Sequence, residues 1–128
     1  MRRQIKLFMV MVVFLGLVAC AGFTKNTYRG IFLAGTSYDA AMKSVADLQS
    51  KGKITLAQRT EINKVANIYY VAYQVSADAL YFYEQTKTQT AKDKVIQAIT
   101  TLVLRWSEFA GYINRIVPGT IPEKLEGL

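Results

Sequence analysis

Apolar residues recur along this chain at steps of three and four, in three separate stretches. In the first, Ile31, Ala34, Tyr38, Ala41, Val45 and Leu48 fall on one helical face. In the second, Ile62, Val65, Tyr69, Ala72, Tyr73, Ser76, Leu80 and Tyr83 do the same. The third stripe is Val95, Ile99, Leu102, Trp106, Phe109, Ile113 and Ile116. No stretch alternates with period two for long enough to suggest a strand.

Punctuation between the stripes fits helix ends. Ser50-Lys51-Gly52-Lys53 closes the first helix, with Gly52 free to take the left-handed conformation. Thr55 opens the second, and Gln58 three residues on completes a capping box. That helix is expected from about Leu56 to about Thr86. The third is expected to start at Thr90 as cap, with Asp93 at its third position. It must stop before Pro118, because the residue preceding a proline is pushed out of helical geometry. The first helix is expected to begin near residue 28. Thr36 with Asp39 marks a later start as the alternative, since Gly30 and Gly35 each weaken the opening turns by about 1 kcal/mol relative to alanine. The fold class is therefore all-α: an antiparallel up-down-up three-helix bundle over 28–117, followed by an irregular tail, 118–128.

The second helix carries a further apolar stripe, Ile68, Val71, Val75 and Phe82, about a third of a turn from the first. Apolar surface then wraps more than half of this helix, as expected for a middle helix touched by two neighbours. We expect the first or third helix to cover the stripe. Left exposed, it forms a patch large enough to imply a partner.

Ahead of the bundle, Arg2, Arg3 and Lys6 precede an apolar run, Leu7 to Val18, broken only by Gly16. The run ends in Leu17-Val18-Ala19-Cys20. Positive charge, a short greasy segment and a small residue read as a secretory signal. A permanent membrane span is the alternative; Leu7 to Phe23 is 17 residues without a charge, at the lower limit for crossing ~30 Å of hydrocarbon. The position of the cysteine favours cleavage. Leu17-Val18-Ala19-Cys20 resembles the lipobox of bacterial lipoproteins. The resemblance implies removal of residues 1–19, lipidation of Cys20 and a tether over 20–27. More than one acyl chain makes such anchoring stable. Ala21, where an Asp tends to retain lipoproteins in the inner membrane, implies the periplasmic face of the outer membrane in a Gram-negative host. The lipobox, the tether, Tyr38-Asp39-Ala40-Ala41-Met42 and the turn Gly52-Lys53-Ile54-Thr55 together resemble small helical lipoproteins of unknown role, some carried by prophages.

Cleavage changes the charge picture. The full chain of 128 residues has 16 basic and 9 acidic side chains, net +7. Loss of Arg2, Arg3 and Lys6 leaves 13 against 9, or +4. The basic residues are scattered, with a cluster only at Lys87, Lys92 and Lys94. This is a solvated surface rather than a nucleic-acid stripe.

Candidate chemistry is sparse. The chain has no histidine and one cysteine, Cys20, so the commonest general base and metal ligand is missing. No phosphate-binding loop or nucleophile elbow is present. No catalytic residue, metal ligand or cofactor is expected. Tyr69, Tyr70, Tyr73, Tyr81, Phe82 and Tyr83 crowd into fifteen residues. Tyr69, Tyr73 and Tyr83 are expected in the core, and Tyr70 and Tyr81 on the polar flank, where tyrosine suits a wet interface. The expected function is a non-catalytic envelope lipoprotein, held to the membrane through lipid on Cys20. It would act as a helical scaffold or interaction module toward a protein partner or itself, through Ile68, Val71, Val75, Phe82, Tyr70 and Tyr81. The alternative is a small-ligand or glycan binder using the tyrosine-rich second helix, which a tyrosine-lined cleft would favour.

Overall fold

A computed structural model describes the backbone of residues 2–122 and the side chains of residues 22–122. The Cys20 side chain, those of the leader and the last part of the expected tail, 123–128, lie outside the described residues. Among the described residues the fold is all-helical: α1 (Arg2–Ser50), α2 (Leu56–Thr86) and α3 (Gln89–Ile116). Successive helices run antiparallel, and α2 and α3 pack extensively to form a three-helix bundle with α1.

The helix ends follow local chemistry. The Thr55 hydroxyl accepts from the Gln58 amide at 3.1 Å, and the Gln58 side chain accepts from the Thr55 amide at 2.8 Å. At the close of α1, Lys53 N–H donates to Leu48 O and Gly52 N–H to Gln49 O. Gly52 sits at φ +70°, as this type of helix end requires. Two boundaries differ from expectation. Thr88, not Thr90, caps α3, its hydroxyl accepting from the Ala91 amide; either threonine satisfies the sequence rule. The expected tether, 22–27, is helical rather than a loose connection, and α1 passes through it without a break. Phe23 fixes this segment to the bundle. Its ring meets Tyr83 edge-on at 5.3 Å, and the Lys92 ammonium lies 4.7 Å above it.

The core is built from the three predicted stripes. Trp106, Tyr69, Phe109 and Ile62 are fully buried, with Tyr38 stacked on Tyr69 at 5.9 Å. Small residues bring α2 and α3 close: buried Ser76 shares its hydroxyl proton between Ala72 O and Ala98 O. The segment after α3 is not a free tail up to residue 122. Asn114 Nδ2 donates to Ile121 O at 3.0 Å, and Asn114 Oδ1 accepts from Ile121 N at 2.8 Å. This clamp holds Ile121 in the core.

Candidate functional site

The second stripe of α2 is not covered. Ile68, Val71, Val75 and Phe82 are all about half exposed, which corrects the expectation of burial. The reason is geometric. Both α1 and α3 use the same face of α2, that of Ile62, Tyr69, Ser76 and Tyr83, instead of lying on either side of it. In a triangular bundle each helix buries one arc, and the second stripe falls outside that arc.

The uncovered stripe forms one wall of a groove of about 920 Å3 between α2 and α3. Ala72, Ala79 and Ala98 line its base, where small side chains let the two helices approach. The α3 wall is less bulky and more basic, with Lys94, Gln97, Thr101 and Arg105. Arg105 is engaged with Glu108 at 2.8 Å. Asp78 is the acidic group in the lining. Neither Asp78 nor Lys94 has an ion-pair partner among the described residues. The arrangement offers apolar contact with charged rims, as at the edge of a protein interface.

The predicted Tyr70 and Tyr81 lie elsewhere. Both are exposed, as expected, but they border the α1–α2 seam rather than the α2–α3 groove. Two shallow dents follow this seam. One, of about 310 Å3, is lined by Phe32, Tyr38, Asp39, Tyr70 and Tyr73. The other, of about 270 Å3, is lined by Tyr28, Phe32, Tyr73, Tyr81 and Glu84. The predicted six-residue surface is thus two surfaces on different sides of α2. Gly35 shapes the first dent, because a Cβ there would lie 3.2 Å from the Tyr73 ring. Tyr28 and Phe32 join the seam in addition to the expected residues. Their only signal in the sequence is that they fall off the buried stripe of α1.

Of the predicted core tyrosines, Tyr69 and Tyr83 are buried and Tyr73 is partly so. The Tyr69 hydroxyl donates to Ala34 O at 2.8 Å. Burial, then the neighbouring Tyr73, pushes the Tyr69 phenol well above its usual value. Burial also raises Tyr38, helped by Tyr70 and Asp39 and opposed by Arg59. These phenols are hydrogen-bond donors and not bases near neutral pH. Leu104, next to Val103 on α3, is exposed. A fourth, more enclosed cleft of about 340 Å3 lies between α1 and α3 over Tyr69 and Trp106.

Over residues 22–122, where side chains are described, no helix is long and apolar enough to cross a membrane, and no group of three or more metal-ligating side chains converges. No known protein family, curated protein or solved structure matches the chain.

Proposed function

We propose that this chain is a bacterial envelope lipoprotein, anchored through Cys20, whose helical bundle is a non-catalytic protein-interaction module. The observation that carries the interaction reading is the exposed stripe Ile68, Val71, Val75 and Phe82 on the wall of a groove of about 920 Å3. Contiguous apolar surface of this kind is costly to leave in water and marks a site of association. The anchor reading rests on Leu17-Val18-Ala19-Cys20 behind a basic, apolar leader.

The fold adds a consequence to the anchor. Cleavage before Cys20 leaves α1 as residues 20–50, and Phe23 already packs against Tyr83. Cys20 is only three residues ahead of Phe23, so an anchor there keeps the bundle close to the membrane. The end of the bundle at the α2–α3 turn, with Lys87 in the turn and Lys92 in the first turn of α3, faces the membrane. Anionic head groups attract such residues, each by about 1 kcal/mol near the surface. In a Gram-negative host the location is the periplasmic face of the outer membrane.

Two variants separate the parts of this reading. Cys20→Ser leaves an uncleaved precursor that takes up no labelled palmitate; labelling equal to wild type removes the anchor. Val75→Asp keeps a helical, membrane-bound protein but loses crosslinked products from intact cells. An unchanged crosslinking pattern removes the groove as the site.

A second reading has its own observation. The α1–α2 seam combines Tyr28, Phe32, Tyr70 and Tyr81 with the carboxylates of Asp39 and Glu84. Exposed rings beside acceptors suit sugar rings, which stack on aromatic faces and donate hydroxyl hydrogen bonds. Titration with peptidoglycan fragments tests it: chemical-shift changes confined to this seam and lost in Tyr81→Ala support it, and no shifts at millimolar ligand reject it.

A further inference from the structure

We propose that the α2–α3 groove is filled by the same groove of a second copy, on a two-fold axis parallel to the helices. This deepens, and rests on, the interaction reading above. A two-fold interface must be self-complementary, and the groove meets that demand in shape and charge. Its α2 wall is bulky and apolar, with Ile68, Val71, Val75 and Phe82; its α3 wall is unbranched or small, and flexible, with Lys94, Gln97, Thr101 and Arg105. An axis along the bundle sets α2 of each copy against α3 of the other. Every rigid apolar wall then meets a flexible one whose side chains can fold aside. Because α2 and α3 run antiparallel, all neighbouring helices in the pair are antiparallel, as in a four-helix bundle.

Charge points the same way. The Ser76 hydroxyl bond to Ala98 O fixes the register of α2 against α3. Asp78 is two residues beyond Ser76, so it lies within one turn of the level of Lys94. Face-to-face pairing brings Asp78 of each copy to Lys94 of the other, twice. The other two-fold arrangement, with its axis across the helices, sets bulky α2 against bulky α2. It also sets the basic α3 wall against itself, and it turns the two N-termini to opposite ends. Only the axis along the bundle leaves both N-termini at one end, as two anchors in one membrane require.

The size of the patch fits an anchored pair. From Asn67 to Phe82 the groove runs about 22 Å, and two packed helices are about 20 Å wide, so each copy offers roughly 450 Å2 in projection. A stable dimer of free proteins buries about 800 Å2 per partner. The contact is weak between free copies and is favoured by the high effective concentration of two chains held on one surface.

The test uses the full chain in its own membranes, with two tagged forms co-expressed, one Val71→Cys and one Thr101→Cys. Mild oxidation is expected to yield a disulfide product carrying both tags, several-fold above that from Glu84→Cys with Thr101→Cys. Glu84 lies on the α1–α2 seam, so this control also reports any pairing through Cys20. Introducing Asp78→Lys into both forms should abolish the product, and adding Lys94→Asp should restore it, with the thermal melt of each variant confirming the fold. A mixed-tag product no stronger than the control overturns self-pairing. If Val71→Cys instead joins a different protein, the interaction reading survives and self-pairing does not. If it joins nothing while the bundle stays folded, both fall. Failure of Lys94→Asp to restore the product overturns the proposed register.

Discussion

At the scale of single residues, Tyr69 and Asn114 each tie separate segments of the chain together by side-chain hydrogen bonds. Tyr69 reaches from α2 to Ala34 O on α1, and its phenol is raised by burial. The protonated form is therefore the one the folded state favours. That stability is fully present below the phenol's unfolded value of about 10 and is lost as pH rises through the higher folded value. The phenol contribution to urea melts should be constant from neutral pH to about 10 and then fall steeply. Tyr69→Phe should cost about 1 kcal/mol at neutral pH by removing the hydrogen bond, and should flatten most of the alkaline loss, leaving the smaller share from Tyr38. An alkaline limb as steep as wild type would show that Tyr69 does not titrate with unfolding. Asn114 is the second such residue. Asn114→Ala removes both bonds to Ile121 and should cost about 1–2 kcal/mol, read from the same melts. It should also bring hydrogen exchange at the Ile121 amide close to that of an exposed amide. Exchange as slow as wild type would mean the clamp is not what protects it.

At the scale of the helices, what could be read in advance was whatever depends on neighbours in sequence. The capping box at Thr55 and the closing glycine at 52 use residues within five positions, so the sequence contains the whole device. The start of α3 lies two residues ahead of the expected one because Thr88 and Thr90 both precede an apolar stripe, and only packing selects between them. The clamp from Asn114 to Ile121 was invisible, since it needs the chain to double back after Pro118. The second stripe lies uncovered for a related reason: periodicity tells which residues are apolar on α2, not which arc its neighbours occupy. The glycines of α1 turn this distinction into a measurement. A Cβ at Gly30 meets nothing within 4 Å, whereas one at Gly35 meets the Tyr73 ring at 3.2 Å. Gly30→Ala should stabilise the protein by about 0.5–1 kcal/mol through helix propensity alone. Gly35→Ala should gain less, because the Tyr73 ring must move. Equal gains in thermal melts would mean that Tyr73 gives way freely and that the seam is not shaped by Gly35.

For the whole molecule, the decisive quantity is where the apolar surface goes. Three helices bury three stripes, and α2 has a fourth that the bundle does not reach. A domain of this size has a margin of only about 5–15 kcal/mol, so an uncovered stripe is tolerable only if little stability is sacrificed or a partner restores it. Two aspartate substitutions locate the boundary between core and interface. Val95 is 0% exposed and Val75 is 52% exposed. Val95→Asp places an unpaired carboxylate in the core and should cost several kcal/mol, enough to unfold much of the population at physiological temperature. Val75→Asp leaves its carboxylate in water and should change the stability of the isolated, detergent-dispersed chain by less than about 0.5 kcal/mol. In the membrane the same substitution buries the charge against a second copy and should abolish pairing while the bundle remains intact. Stability and association thus separate at residue 75 and do not at residue 95. A Val75→Asp protein that melts as early as Val95→Asp in detergent would place the second stripe inside the core after all, and would remove the groove on which the interaction reading stands.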